Sequence, residues 1–332
     1  MKNIVEKILK KFNKNNKKLR VIFMGTPAVS VPFLEYLIEN VNVVAVFTAA
    51  DLPAGRKLKM RASAVKIAAG SYSLKIFQPN SLKSVNIVKQ VERLKPDLII
   101  TVAYGHKVPD NIIEIPRYKT INIHFSLLPK YRGAAPVNWV IVNGDKKTGV
   151  TCFYLSSRMD AGDIIDAKEI EIKDSDNAET LLQKLSVLGV DVLKDSLLKI
   201  KDPNFKPLSQ DENQVTDAPK LKKKNGVIKW NQTSVEVYNK IRGFYPWPSS
   251  FTYLDTADSL KIVKLFSPKI KYVEEEGNVP GEVLGISKKK GILVKCGHGA
   301  IWIKDVQLEG HKIVSGYEFH LGRRINQGDI FE

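Results

Sequence analysis

Residues 20–48 decide the fold of this chain, and they read RVIFMGTPAVSVPFLEYLIENVNVVAVFT. The apolar run Arg20–Met24 predicts a buried strand, Gly25–Pro27 predicts a turn, and Val29–Asn40 predicts a helix. A second apolar strand is predicted at Val43–Thr48. Because a strand, a helix and a second strand in this order pack as a right-handed crossover, the stretch predicts a parallel sheet of the α/β class.

The same alternation continues through the first two-thirds of the chain. Further strands are predicted at Leu98–Val102, Ile121–His124 and Gly149–Tyr154. Further helices are predicted at Ser63–Gly70, Ser84–Leu94, Val137–Asn143 and Thr180–Ile200. No Gly-x-Gly-x-x-Gly follows the first strand, so the layout is Rossmann-like but a dinucleotide-dependent enzyme is poorly supported.

The composition changes after this α/β region. Residues 202–224 are polar, contain several prolines and include three consecutive lysines, which is typical of a linker. Beyond it, short strands separated by turn residues predict a small β-barrel; they are Lys261–Phe266, Gly281–Leu284, Gly291–Lys295 and Ala300–Lys304. We therefore expect four parts: a basic N-terminal extension (1–19), a catalytic domain (20–201), a linker (202–224) and a C-terminal barrel (225–332).

The net charge is +17, of which residues 1–20 contribute +7. Such an excess of Lys and Arg favours a polyanionic partner, although a general richness in lysine explains much of it. Cys152 and Cys296 are too few for a disulfide framework or a zinc site. The chain lacks the ~18–20-residue apolar run of a membrane span and the apolar core of a secretion signal. These features predict a cytoplasmic protein.

Asn122 and His124 stand at the end of a predicted strand, two positions apart. Residues i and i+2 of a strand point to the same face, so the amide and the imidazole project together. An amide can donate to an oxyanion and an imidazole can move a proton near neutral pH, which are the two groups that acyl transfer requires. From the pattern alone, two polar residues on a half-solvated strand face remain the simpler interpretation.

Several further blocks surround this pair and occur in a fixed order along the chain. They are FMGTP at 23–27, DLPAGR at 51–56, VAYG at 102–105, NIHFSLLP at 122–129, YRGAAP at 131–136, MDAGD at 159–163 and FYPWP at 244–248. In sequence and in order they resemble the folate-dependent formyltransferases, and DLPAGR resembles a loop of the tRNA-specific branch of that family. The resemblance extends from about Leu19 to the C-terminus, and it implies that the barrel is of the open OB type.

The resemblance implies transfer of a formyl group from 10-formyltetrahydrofolate to the α-amino group of methionine on initiator Met-tRNA, for translation initiation. It implies that Asn122, His124 and Asp160 form the catalytic set. Asn122 would donate to the developing oxyanion, His124 would donate to the same oxygen or shuttle a proton to the folate nitrogen, and Asp160 would orient His124. Which group removes the proton of the amine stays open. No metal is expected.

The resemblance also implies a folate pocket, walled by Tyr104, Gly105, Ser126, Leu127, Leu128 and Pro129. The alternative for Leu127 and Leu128 is that they are ordinary core residues, and each can serve both roles. The nearby His106 matches no family role and is interpreted as a solvated or core histidine.

For the tRNA, the resemblance implies that the loop 51–59 reaches the acceptor end, with Arg56 in contact and Lys57 and Lys59 beside it. Lys222, Lys223 and Lys224 are candidate phosphate contacts. A solvated charged loop is the alternative for residues 51–59. The segment 242–248 either stacks on bases or forms an aromatic clasp between the domains, and the clasp is the preferred interpretation. Residues 1–19 form either a basic amphipathic helix or a frayed extension.

Two other functions fit parts of the sequence. A formyltransferase of the same fold that acts on an amino sugar or a nucleotide precursor has no need of the loop 51–59 or the C-terminal barrel. A catalytically idle RNA-binding protein has no need of Asn122, His124 and Asp160 together. We therefore expect the tRNA formyltransferase, acting as a monomer with the tRNA and the folate as its partners.

Overall fold

The parallel sheet predicted from residues 20–48 is present in the computed structural model, which describes residues 18–54, 59–255, 259–271 and 279–332. Its helices, within those residues, are α1 Val31–Asn40, α2 Ala64–Ser71, α3 Val85–Leu94, α4 Asp110–Ile113, α5 Pro136–Val142, α6 Ala178–Lys199, α7 Ser234–Gly243 and α8 Gly316–Leu321. Short 3-10 turns lie at Ala28–Ser30, Glu212–Gln214 and Lys223–Gly226.

The strands, within the same residues, are β1 Arg20–Gly25, β2 Asn42–Phe47, β3 Leu52–Ala54, β4 Lys59–Arg61, β5 Ile76–Phe77, β6 Leu98–Val102, β7 Thr120–His124, β8 Arg132–Gly133, β9 Lys147–Tyr154, β10 Ile164–Glu171, β11 Asp217–Ala218, β12 Ser250–Asp255, β13 Leu260–Lys271, β14 Val283–Ser287, β15 Gly291–Lys295, β16 Ala300–Leu308 and β17 Val314–Ser315.

The chain packs as two units, each assembled from separate stretches of sequence. Of the described residues, one unit comprises those up to Pro129, Gly149–Lys168 and Leu185–Gln214; the other comprises Lys130–Thr148, Glu169–Lys184 and those from Val215 to Glu332. The domain boundaries expected at 20, 202 and 225 remain predictions.

The first unit is built on a seven-stranded sheet with the order β10-β9-β7-β6-β1-β2-β5. β1 is parallel to β2 and to β6, and β6 is parallel to β7, whereas β9 runs antiparallel to β7. In register, Gly25 pairs with Val102, and Val102 pairs with Ile123. The carboxyl ends of β1, β6 and β7 therefore meet at one edge, where open parallel sheets bind their ligands.

Both faces of this sheet are covered, which is why its central strands read as continuous apolar runs. Ile22 and Met24 of β1 belong to a buried cluster that includes Ile99 and Phe47. On α1, the ring of Phe33 is fully buried, and a Cβ on Gly189 of α6 would lie 2.6 Å from it. Glycine at that position allows the two helices to approach closely. The predicted α/β fold class is confirmed.

The second unit contains an antiparallel sheet with the order β12-β13-β16-β15-β14, to which β17 adds beside β16. Its buried core includes Trp230, Val263, Ile303 and Phe331. β13 and β16 extend beyond the strands predicted at Lys261–Phe266 and Ala300–Lys304, because they pair with each other over most of their length. The predicted β-rich C-terminal part is confirmed. None of the described helices combines the length and the apolar character that crossing a bilayer requires.

Candidate active site

Strand β7 carries Asn122 and His124 to the ligand-binding edge of the sheet. Asn122 lies beside Thr101 of β6 and opposite Phe153 of β9. The Thr101 hydroxyl donates to Oδ1 of Asn122 over 2.7 Å. Because the carbonyl end of the amide is held in this way, its NH2 end is the one that points away from Thr101 as a donor.

His124 is 6% exposed and shares the face of β7 with Asn122. Its ring packs edge-to-face on Phe153, with 6.4 Å between the ring centroids. Nδ1 of His124 lies 3.8 Å from Oδ2 of Asp160. That separation is longer than a hydrogen bond but close enough for electrostatic attraction. The structure therefore brings His124 and Asp160 together.

Asp160 lies in the loop between β9 and β10, with a φ of 51°. Few residues other than glycine adopt this left-handed conformation, and aspartate is among those that tolerate it. The loop folds tightly onto the end of β9, where the amide of Tyr154 donates to the Asp163 carbonyl over 3.0 Å. A Cβ on Gly162 would lie only 1.7 Å from the carbonyl oxygen of Tyr154, so this position requires glycine.

A second segment, Leu208–Glu212, binds this loop along its length; we call it the strap. Leu208 exchanges two backbone hydrogen bonds with Ile164, at 2.7 and 2.8 Å. Nε2 of Gln210 donates to the carbonyls of Asp160 and Gly162, at 2.9 and 2.7 Å.

Two charged or polar side-chain contacts extend the strap on either side of Gln210. Ser209 donates to the Asp163 carboxylate over 2.9 Å, and Arg158 pairs with Glu212 at 2.6 Å. The strap lies inside residues 202–224, which the sequence predicted to be a linker without a role in the site. Its contacts join residues about 50 positions apart, so no local pattern could have revealed them.

The predicted folate residues Tyr104 and Gly105 follow β6 in a turn with a φ of 46° at Ala103 and 88° at Gly105. Thr26, in the turn after β1, donates to the Tyr104 carbonyl over 2.8 Å. The Tyr104 side chain is buried, which raises its pKa to about 12. Among the described residues its hydroxyl has no hydrogen-bond partner. Ala103 and Gly105 are exposed at this edge.

The other predicted folate residues, Ser126–Pro129, continue from β7. Thr151 of β9 fixes them: its hydroxyl donates to the Ser126 carbonyl over 2.7 Å and accepts from the Leu128 amide over 3.1 Å. Ser126 and Leu128 are buried, while Leu127 and Pro129 are half-buried. Their role toward folate stays a prediction, and Thr151 is a further positioning group that the motif did not indicate.

His106 is exposed, with its ring 5.3 Å from that of Tyr104. A cavity of about 710 Å³ lies nearby in the first unit, lined by Arg117, Tyr154, Ser157 and Ala161–Asp163 among others. It borders the loop that carries Asp160, but its lining includes neither the three predicted catalytic residues nor the predicted folate residues.

Arg56 and Lys57 lie outside the described residues, as does the side chain of Lys59. The flanking residues form the hairpin β3–β4, and Asp51 anchors its base. Lys66 and Gln78 donate to the Asp51 carboxylate over 2.6 and 2.8 Å. These hydrogen bonds, that from Gln78 first, lower the pKa of Asp51.

Lys222, Lys223 and Lys224 are exposed at a 3-10 turn of the second unit. Lys223 lines a cavity of about 340 Å³ together with Lys264 and Trp247, a residue that is 56% exposed. Phe244, from the same aromatic segment, is buried against Trp139. Cys152 and Cys296 are free, buried thiols. No three His, Cys, Asp or Glu side chains are grouped to hold a metal within the described part of the chain.

Comparison with known proteins agrees with this architecture. A formyl transferase model matches residues 17–197, and a model of the formyl transferase C-terminal domain matches residues 220–324. The chain is similar to the methionyl-tRNA formyltransferase of Alkaliphilus oremlandii, with 40% identity over 94% of this chain and 99% of the relative. It is 39% identical to that of Acetivibrio thermocellus, over the same shares of the two chains.

Among solved structures, HypX from Aquifex aeolicus in complex with tetrahydrofolic acid has a similar fold. The TM-score is 0.61 at 18% identity, over 95% of this chain and 51% of HypX. At that identity the likeness concerns the fold alone. The family models and the nearly full-length relatives confirm the resemblance seen in the sequence blocks. This chain belongs to the formyl transferase family.

Proposed function

We propose that this chain transfers the formyl group of 10-formyltetrahydrofolate to the α-amino group of methionine on initiator Met-tRNA, as a step of translation initiation. One observation carries this proposal: methionyl-tRNA formyltransferases match the chain at about 40% identity over 94% of its length. The fold alone would not select the substrate, since one fold supports many chemistries.

In the proposed reaction the neutral amine attacks the formyl carbon and negative charge develops on the formyl oxygen. Asn122 is suited to stabilise that charge. Its Oδ1 accepts from Thr101, so its NH2 group is preset as a donor. A preset donor of this kind is worth roughly 3–4 kcal/mol in the transition state, because it needs no reorganisation when the charge appears.

His124 is suited to proton transfer between the amine and the departing folate nitrogen. Packing against Phe153 restricts its ring, and the Asp160 carboxylate lies 3.8 Å from Nδ1. A carboxylate at this distance attracts the positive charge that the ring gains when it takes up a proton. In this proposal Asp160 orients and stabilises His124, and the first acceptor of the amine proton is either His124 or a water held by Asp160.

10-formyltetrahydrofolate supplies the activated formyl group. The edge beside β6 is open to a ligand, since Ala103 and Gly105 are exposed there. We place the folate against Tyr104 and Gly105 and against Ser126–Pro129.

For the tRNA, we propose Arg56, Lys57 and Lys59 as contacts to its acceptor end and Lys222, Lys223 and Lys224 as contacts to its phosphates. The three exposed lysines at 222–224 support the second set. Phosphate contacts predict that tRNA affinity falls steeply with salt. We further propose that the chain works as a monomer in the cytoplasm.

The test is formyl transfer from 10-formyltetrahydrofolate to purified initiator Met-tRNA, with free methionine and an amino sugar as competing acceptors. We expect the wild type to formylate the tRNA, His124→Ala to lose the activity, and Arg56→Ala to raise KM for tRNA. His311→Ala, at an exposed histidine of the second unit, is the matched control and should act like the wild type. Turnover on a small amine without formylation of the tRNA would overturn the substrate assignment.

A further inference from the structure

One amide side chain holds the loop that carries Asp160. Nε2 of Gln210 donates to the Asp160 carbonyl over 2.9 Å and to the Gly162 carbonyl over 2.7 Å. The two NH protons of a glutamine amide allow both bonds at once. Gln210 therefore fixes the peptide groups immediately after Asp160 and Gly162, and with them the direction in which the Asp160 carboxylate leaves the chain.

This loop needs such a support because its conformation is unfavourable on its own. Asp160 adopts a φ of 51°, and a non-glycine residue pays a conformational free energy there. The carbonyls of Asp160 and Gly162 lie outside regular strands and helices, so they require donors from elsewhere. The Gln210 amide supplies these donors while it holds the left-handed turn.

The rest of the strap explains why Gln210, rather than its neighbours, controls the loop. The Ser209–Asp163 and Arg158–Glu212 contacts are exposed, where such pairs contribute little. The Gln210 contacts are partly buried. The backbone pairing of Leu208 with Ile164 sets the register that aims Gln210 at the loop.

We propose that Gln210 is a positioning residue for the formyl transfer: it holds Asp160 in the conformation in which its carboxylate faces His124. This inference rests on the proposed function. Gln210 acts on the reaction indirectly. It contacts the backbone of the loop, and the carboxylate of Asp160 on that loop lies 3.8 Å from Nδ1 of His124. A displacement of about 1 Å in such an arrangement is enough to slow a reaction substantially. The effect belongs in kcat and leaves tRNA binding alone.

The test compares steady-state formylation of initiator Met-tRNA by the wild type, Gln210→Ala, Gln210→Glu and Gln214→Ala. Glutamate keeps the shape of glutamine but cannot donate, so both Gln210 variants should lose about tenfold or more in kcat, with KM for tRNA within about twofold of the wild type. Gln214 donates to the Asp211 carboxylate instead of the loop, so its variant should retain wild-type kcat.

A double substitution separates positioning from a general structural effect. In an Asp160→Ala background, Gln210→Ala should change kcat hardly at all, because the carboxylate that it positions is gone. An equal fold-loss in both backgrounds would show that Gln210 only supports folding and would overturn the proposal. So would wild-type kcat in Gln210→Glu. An inactive wild type on the tRNA would instead refute the proposed function.

Discussion

The two sides of the candidate site are held by different means. Asn122 and His124 stand on β7, whose neighbours β6 and β9 pair with it on both edges. Asp160 stands on a loop, in a left-handed conformation, held by side chains of the strap. A strand in mid-sheet moves only if its ladder breaks, whereas a loop can shift when one contact is lost. The sheet therefore fixes the positions of Asn122 and His124, whereas a few contacts from the strap fix the position of Asp160.

Removing the strand-borne donor should have the largest effect. We expect Asn122→Ala to lower kcat by about 10²–10³-fold with little change in the melting temperature, because an oxyanion donor acts chiefly in the transition state. The measurement is single-turnover formylation with a thermal melt. Asn42→Ala, at an exposed asparagine that begins β2, is the control. A near-normal rate in Asn122→Ala would remove this residue from the catalytic set.

On the loop side, Gly162→Ala should cause the next largest loss of kcat. Its Cβ would meet the Tyr154 carbonyl at 1.7 Å, so the loop must shift and carry Asp160 away from His124. We expect a loss of up to about a hundredfold in kcat. Gly70→Ala is the matched control, since a Cβ there has open space and alanine favours the helix by about 1 kcal/mol. Full activity in Gly162→Ala would show that the loop tolerates displacement.

A smaller effect on kcat is expected from Thr101, which holds the amide of Asn122 in place. Thr101→Val removes the hydroxyl that holds Oδ1 of Asn122, so the amide is free to rotate. One neutral hydrogen bond suggests roughly a two- to tenfold loss of kcat. Thr101→Ser keeps the hydroxyl and should retain most of the activity. If valine and serine behaved alike, the ladder alone would be orienting Asn122.

Stability at high pH should depend on the two buried thiols. Burial raises the pKa of the Cys152 thiol, opposite Ile123 on β9, to about 12, and that of Cys296 in the second unit to about 12. In the unfolded chain a thiol has a pKa of about 8.5. Between that pH and about 12, the folded state therefore holds more protons than the unfolded state. The free energy of unfolding should therefore fall as pH rises, by at most about 1.4 kcal/mol per pH unit for each thiol.

Urea unfolding at pH 7, 9 and 10 measures that slope. Each of Cys152→Ala and Cys296→Ala should reduce it. If the pH dependence of the free energy of unfolding were unchanged in Cys152→Ala alone, water would already reach β9. The strand side of the site would then be less rigid than a strand paired on both edges.

The strand side is also the side that the sequence predicts well. Leu98–Val102 matches β6 residue for residue, and Ile121–His124 falls within β7. Periodicity and residue order suffice there, because register follows from burial. Two helix starts, at Ser63 and Ser84, were predicted one residue early. Ser63 lies outside α2 and caps it, its hydroxyl accepting from the Lys66 amide over 3.0 Å.

The loop side could be predicted only in part. The resemblance indicated Asp160 but not what holds it, since Gln210 lies in a polar stretch without periodicity. The short hairpin β3–β4 was missed, because strands of three residues are too short to show a periodic pattern. The strand β12 was missed although its first four residues alternate between polar and apolar types. Contacts between distant side chains leave no trace in a single sequence.

The discontinuous make-up of the second unit has a consequence for synthesis on the ribosome. α5 leaves the ribosome about a hundred residues before α7, on which it packs: Asn138 donates to the Gly243 carbonyl, 105 positions later, over 2.8 Å. Chains grow at about 5–20 residues per second. Synthesis of the intervening residues therefore takes several seconds, and only then can Phe244 pack against Trp139. During that interval the nascent chain presents an apolar surface of the kind that chaperones bind.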